Sequence, residues 1–243
     1  MYKNQIKTDI VIPLSDGSLY DNMELRMALR SIDQYAENHN AVYIISTDPP
    51  AWLRNVNILS VPDSHRRNKD ANIIEKIAAA TALTELSEQF IFWSDDQLAL
   101  RSFDTGHLPP VYNRRGPGDF RTDKIWHRRM LNTFDFLQRC NHHLNWNWDS
   151  HVPQRMNKYN FCNLVNAVDC TIPPGYCINT LYFGWLDTRP YIEQNMLKTT
   201  IEQPLKLAGL PDSLFLGYND RALQGNLPAL LKQKFNCKCR YEK

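Results

Sequence analysis

The chain has 243 residues, 43% of them hydrophobic, and its 28 Lys and Arg against 26 Asp and Glu leave a net charge of +2. That is enough apolar side chain for one sizeable core, and too little charge for a global field that would demand nucleic acid. No run of about 18 apolar residues exists to span a membrane as a helix, and the opening MYKNQIKTDIVIPL lacks the long apolar segment of a secretory signal.

Residues 8–14, TDIVIPL, read as a β-branched strand ended by Pro13, with Ser15, Asp16, Gly17 and Ser18 as turn residues. Met23, Leu25, Met27, Leu29 and Ile32 recur at spacings near three and four and predict a helix. Residues 41–47 and 55–63 read as the second and third strands, closed by Asp48-Pro49-Pro50 and by Pro62. Residues 70–86 predict a helix with Asp70 as its N-cap and Ile73, Ile74, Ile77 and Ala80 on one face. FIFWSDD, residues 90–96, is the fourth strand. Beyond residue 100, segment 101–120 is loop-like, 121–146 and 191–209 read as helical, and 147–190 as irregular. Residues 214–219 form a candidate strand and 227–235 a short helix. Strands alternating with helices through residue 96 predict an α/β fold, with a mainly parallel central sheet flanked by helices. One domain is expected over 1–243, with 1–100 as one half and an irregular 101–243 as the other.

Six cysteines (Cys140, Cys162, Cys170, Cys177, Cys237 and Cys239) contain no C-x-x-C pair. Zinc is therefore poorly supported, and reduced thiols in a cytoplasmic protein are the expectation. The local basic clusters HRRNK (65–69), NRR (113–115) and HRR (127–129) leave nucleic acid as a less favoured partner. Phosphate-binding loops of the G-x-x-x-x-G-K-[ST] and G-x-G-x-x-G types are missing, as is a G-x-S-x-G elbow.

The chemistry concentrates at FIFWSDDQLAL, residues 90–100. An apolar strand here runs into Asp95 and Asp96, and in open α/β sheets ligands bind beyond the carboxyl ends of the strands. The pair reads as a solvated turn, as a hydrolytic acid/base pair, or as a clamp holding Mn²⁺ or Mg²⁺ against a diphosphate. Neighbours on an extended chain point to opposite sides, so one of the two is expected to face a metal directly. A glycosidase pair needs carboxylates set across a cleft, which neighbours do not easily supply. His151, in the polar, Pro-punctuated DSHVPQRMNK, is the histidine that stands out.

Several blocks, taken in order, carry a resemblance. NMELRMALRSIDQYAENHNAVYIISTDPPAWL is similar to the "RYSLRSI…VTN…PSWL" region of the Stealth sugar-phosphate transferases. FIFWSDDQLAL resembles that family's "FLYFNDDVMF" and SHVPQRMNK its "AHMPHMIDK"; LFLGYNDR (214–221) comes next in order, and KQKFNCKCRYEK (232–243) is similar to its closing "FP-x-x-S-x-FEK". DIVIPLSDGS matches the opening "D-x-VYTWVDG" only faintly, with Pro13-Leu14 where the family has tryptophan. The blocks also resemble compact nucleotide-sugar glycosyltransferases of the A-type fold, in which a D-x-D-like motif ends a central strand.

What the resemblance implies is a metal-dependent glycosyltransferase that moves a sugar from a nucleotide-diphosphate sugar, a UDP-sugar by preference, to a carbohydrate or other hydroxyl acceptor. Residues 1–100 would bind the donor and 101–243 the acceptor. Pro13, Leu14 and Asp16 would cradle base or ribose. Asp96 would ligate Mn²⁺ or Mg²⁺, with Asp95 on ribose or donor sugar. Arg26 and Arg30, four apart on one helix face, would approach phosphates, with ion pairing as the alternative. Asn72 and Lys76 share a helix face directed toward the donor. His151 is the expected base, with Asp149 and Asp220 as rivals. Trp146, Trp148, Tyr159 and Phe161 would stack on an acceptor sugar or pack in the core. The alternatives are a Stealth-type hexose-1-phosphate transferase for a capsule-like polysaccharide, and a glycosyltransferase acting on modified bases of DNA.

Overall fold

The computed structural model describes residues 7–15, 18, 20–65 and 67–243. Its first half alternates as the sequence predicts: β1 (Thr8–Pro13), α1 (Met23–Tyr35), a short β2 (Ala36–Glu37), β3 (His39–Ile45), β4 (Asn57–Leu59), α2 (Lys69–Thr81) and β5 (Gln89–Phe92). The chain then turns into β6 (Gln97–Ala99), the two-residue strands β7 (Phe103–Asp104) and β8 (Val111–Tyr112), and α3 (Ile125–Arg139). β9 (Gln154–Asn157), α4 (Lys158–Ala167), α5 (Ile178–Trp185), β10 (Ile192–Glu193), β11 (Lys198–Ile201), β12 (Phe215–Tyr218) and α6 (Leu227–Lys234) follow.

The central sheet has the order β4-β3-β1-β5-β9, parallel except for β9. β1 lies at its centre and is covered on both faces, so its apolar run is continuous rather than alternating. Val11 points into a core shared with α2, α3, α4 and α5, while Ile10 and Ile12 point into a second core with α1, Trp93 and Phe215. Asp9, fully buried at the start of β1, is satisfied by the Asn40 side chain, the Ala41 N–H, and both the N–H and hydroxyl of Ser87. A buried carboxylate survives only with such partners, and this one fixes the ends of three strands to one another. A second sheet, β11-β12-β6, packs with α1 and α6 around a third core.

Several expectations for the second half are corrected. Segment 147–190 is not irregular: it holds β9, α4 and α5. α5 is buried all round, which erases the apolar periodicity that reveals a surface helix. Segment 191–209 is not helical; it forms β10, a single 3₁₀ turn and β11, whose Lys198-Thr199-Thr200-Ile201 is a β-branched run. α2 is capped by Asn68, whose side chain accepts from the Ala71 N–H, while Asp70 is turned to an ion pair with Arg129. No helix among the described residues is long and apolar enough to cross a membrane.

Of the two roles expected for Arg26 and Arg30, the structure forms the ion pair. Both are spent on Glu242, at 2.6 Å each, and the Glu242 side chain is 0% exposed. Arg30 also donates to the Phe235 carbonyl and Arg26 lies over the Trp52 ring, so α1 and the segment around residue 242 are locked together. Glu242→Ala leaves two half-buried guanidinium groups without their carboxylate and should cost ~3–5 kcal/mol in denaturant unfolding at pH 7. Burial alone would raise the Glu242 carboxyl, but hydrogen bonds from Arg30 and Arg26 bring it down to about 2. Its contribution is therefore complete above the unfolded value of about 4.5 and fades as pH falls toward 2. The stability difference between wild type and Glu242→Gln should shrink over that window.

Candidate active site

β5 ends at Phe92, and a tight turn closed by the Gln97 N–H donating to the Ser94 carbonyl places Asp95 and Asp96 at its two central positions. The turn is held from both sheets. Trp93 donates its backbone N–H to Val11 and its indole N–H to the Gln97 carbonyl, and the Tyr218 N–H of β12 donates to the Asp96 carbonyl. Because the pair sits on a turn, the rule for extended neighbours does not apply. Both carboxylates line the same cleft, of about 240 Å³.

Topology brings the other walls to this point. Val11 is in register with Phe92, so the residues after β1, Pro13 and Ser15, emerge beside the turn. β9 runs the opposite way, with Gln154 opposite Phe92, so the residues that precede it arrive at the same edge. His151 is among them, and its Nε2 lies 3.0 Å from Asp96 Oδ1. Its backbone is left-handed at φ 53°, a conformation that costs free energy in a non-glycine residue and recurs at functional sites. The ring packs on β12 at Gly217, where an added Cβ would come within 3.1 Å of the His151 carbonyl oxygen and 3.3 Å of the ring. Glu24 and Ser18 (bonded to each other), Lys69, Ile73 and Asp220 complete the cleft.

The two aspartates are driven apart electrostatically. Burial, reinforced by the neighbouring Asp96 and by Glu24, pushes the Asp95 carboxyl up to about 7. Burial also opposes ionisation of Asp96, but the charge and hydrogen bond of His151 hold that carboxyl below its usual range. Neighbouring carboxylates with opposite shifts are a common arrangement where one must carry a proton and the other a charge.

Of the expected site residues, the cleft gathers Pro13, Asp95, Asp96, His151 and Asp220. Asp16 lies outside the described residues. Leu14 is buried, and its carbonyl accepts from Lys76, which is 1% exposed and also bonds Asp63 at 2.6 Å; Lys76 therefore braces the strand end and is not part of the cleft lining. Asn72 makes a two-way clamp on the backbone of His65. Asp149 accepts from both the N–H and the hydroxyl of Thr180 in the first turn of α5, which occupies it as a helix-terminal anion. Burial nonetheless raises it to about 6. Trp148 and Phe161 are fully buried core residues, Trp146 is packed against the same core, and Tyr159, although exposed, lines a different groove beside Leu86.

The pattern of the sequence does not single out Glu24, Lys69 or Tyr218. Tyr218 is fully buried on β12, and its phenol has no hydrogen-bond partner among the described residues. Lys69 is hidden inside HRRNK, which reads only as a basic cluster. Nor does the pattern mark Lys198, half-buried on β11, whose ammonium burial brings down to about 8 in the field of Glu202, Asp96 and Asp149.

Two outcomes follow from this geometry. The folded-state value of Asp95 exceeds its ordinary 3.8, so its ionisation opposes folding as pH rises toward about 7. Asp95→Asn should be more stable than wild type at pH 8, on the order of 1–2 kcal/mol because solvent screens these half-buried carboxyls, and equal to it near pH 4. Gly217→Ala should displace His151. At fixed pH the imidazole nitrogen resonances of His151 should lose the signature of the hydrogen bond to Asp96, while global stability falls by about 1 kcal/mol.

No protein-family model matches the chain, and no curated protein matches it either.

Proposed function

We propose that the protein is a cation-dependent transferase that moves a sugar from a nucleotide-diphosphate sugar, a uridine nucleotide by preference, to a hydroxyl of a glycan or another biopolymer. The observation that carries this reading is the Asp95–Asp96 turn at the carboxyl end of a parallel sheet, facing His151 across one cleft. The ordered Stealth-like blocks add to it, although they do not amount to a family match.

The donor set suits a hard divalent ion shared with a substrate. Glu24, Asp95, Asp96 and Asp220 bring four carboxylates into the cleft against Lys69 and His151, an excess of negative charge that would repel a bare diphosphate. Among the described residues no three His, Cys, Asp or Glu side chains converge to cage an ion alone. Mg²⁺ and Mn²⁺ fit that description, since they commonly take one or two carboxylates and complete their shell with phosphate oxygens and water. Asp96 has Oδ1 on His151 and leaves Oδ2 for such an ion, with Asp95 beside it. When bound, the ion would offset charge on the leaving diphosphate.

The protein's own groups do the rest. Pro13 and Ser15 form the wall on which a base or ribose would lie. His151 has one ring edge against Gly217 and presents Nε2 to the cleft; in the neutral ring with its proton on Nδ1, Nε2 is free to take the proton of an acceptor hydroxyl that displaces Asp96 Oδ1. Of the two carboxylates expected as rival bases, Asp220, exposed at the rim, is the one that lines the cleft.

Thermal-shift titration with UDP-sugars, with and without Mn²⁺, tests the reading. A ligand of the folded state should raise the melting temperature, more with Mn²⁺ present, and Asp96→Asn should abolish the Mn²⁺ increment. Unchanged Mn²⁺ dependence in that variant would place the clamp elsewhere. His151→Ala should slow turnover by about a hundred- to ten-thousandfold while leaving donor affinity within a few-fold. Chromatography of the nucleotide product separates glycosyl transfer, which releases UDP, from sugar-phosphate transfer, which releases UMP. UDP is the expected product.

A further inference from the structure

Lys69 is the lysine in the wall of the cleft, and among the described residues it makes no ion pair and no hydrogen bond through its side chain. The other cations expected to meet substrate are already committed: Arg26 and Arg30 to Glu242, and Lys76 to Asp63 and Leu14. Lys69 is exposed, and its charge is felt by both Asp95 and Asp96 without a direct contact to either. It occupies the first position of α2, a 13-residue helix whose Asn68 cap takes the Ala71 N–H, so the helix dipole adds positive potential on the same side. Asp70, next in sequence, would oppose an anion there, but its charge is met by Arg129 at 2.9 Å.

We propose that Lys69 is a phosphate-binding residue of this cleft, donating to the non-bridging oxygens of the leaving diphosphate on the side opposite Asp96. A diphosphate carries more negative charge than one divalent ion offsets, and among the described residues no other free cationic side chain lines the cleft to serve its outward oxygens. A lysine suits the task, because a flexible ammonium can follow the phosphate as it separates and needs no fixed bidentate geometry. The inference rests on the donor reading above for the identity of the phosphate, but not for its existence.

The test is calorimetric binding of uridine, UMP, UDP and inorganic pyrophosphate, each with Mn²⁺, to wild type, Lys69→Met, Lys69→Arg and Asp96→Asn. Lys69→Met should weaken UDP and pyrophosphate by about ten- to a hundredfold, the scale of one charge-assisted hydrogen bond, and leave uridine unchanged. Lys69→Arg should recover part of the loss. If Lys69→Met binds UDP and pyrophosphate as wild type does, or if wild type binds no phosphate-bearing probe at all, the proposal is overturned. If the uridine compounds fail while pyrophosphate binding still depends on Lys69, the nucleotide-donor reading falls and the phosphate subsite stands.

Discussion

Two carboxylates one peptide bond apart repel each other, and at the mouth of a sheet buried on both faces there is little water to relieve them. Asp95 and Asp96 are kept in that state by the rigidity of what surrounds them. The turn cannot open because Trp93 is tied to β1 and to Gln97, and β12 holds the Asp96 carbonyl. The repulsion is met by His151 on one side and by the more distant Lys69 on the other, and the remainder appears as a carboxyl that gives up its proton only near neutral pH. An arrangement that keeps unrelieved negative charge in a fixed place is well suited to binding a positive charge.

The topology explains why a histidine is available there. A fully parallel sheet would present only strand ends and the loops that follow them at this edge. The one antiparallel strand, β9, reverses the polarity locally, so that the residues before it share an edge with the residues after β1 and β5. His151 is fixed by this reversal, by its left-handed backbone and by the absence of a side chain at Gly217. These constraints come from three separate stretches of chain. A change in any of them moves the imidazole relative to Asp96.

Where secondary structure is driven by local pattern, it can be read from the sequence. β1, α1, β3, α2 and β5 carry strong periodicity or β-branched runs with Pro and Asp punctuation. α5 does not, because a helix buried on every side has no polar face to set its period, and β11 is obscured by polar residues around a short Thr-Thr-Ile run. The aspartate pair is legible because charge at the end of an apolar strand is locally anomalous. The roles of Arg26 and Arg30 are not, since their partner lies more than 200 residues away and nothing near them in sequence indicates it. Lys76 illustrates the same limit: its spacing places it on a face, but only the fold shows that the face is closed by Leu14 and Asp63.

The separation of Arg26 from Glu242, 216 positions along the chain, also bears on how the molecule is made. During synthesis α1 leaves the ribosome well before Glu242, with two cationic side chains whose carboxylate has not yet been translated. Local helix formation can proceed, but the closure that pins α1 must await a loop of more than 200 residues, the kind of non-local contact that slows folding. α1 is thus made long before the carboxylate that secures it. In the interval its two guanidinium groups have water in place of Glu242, so the pair contributes nothing until the later segment folds back.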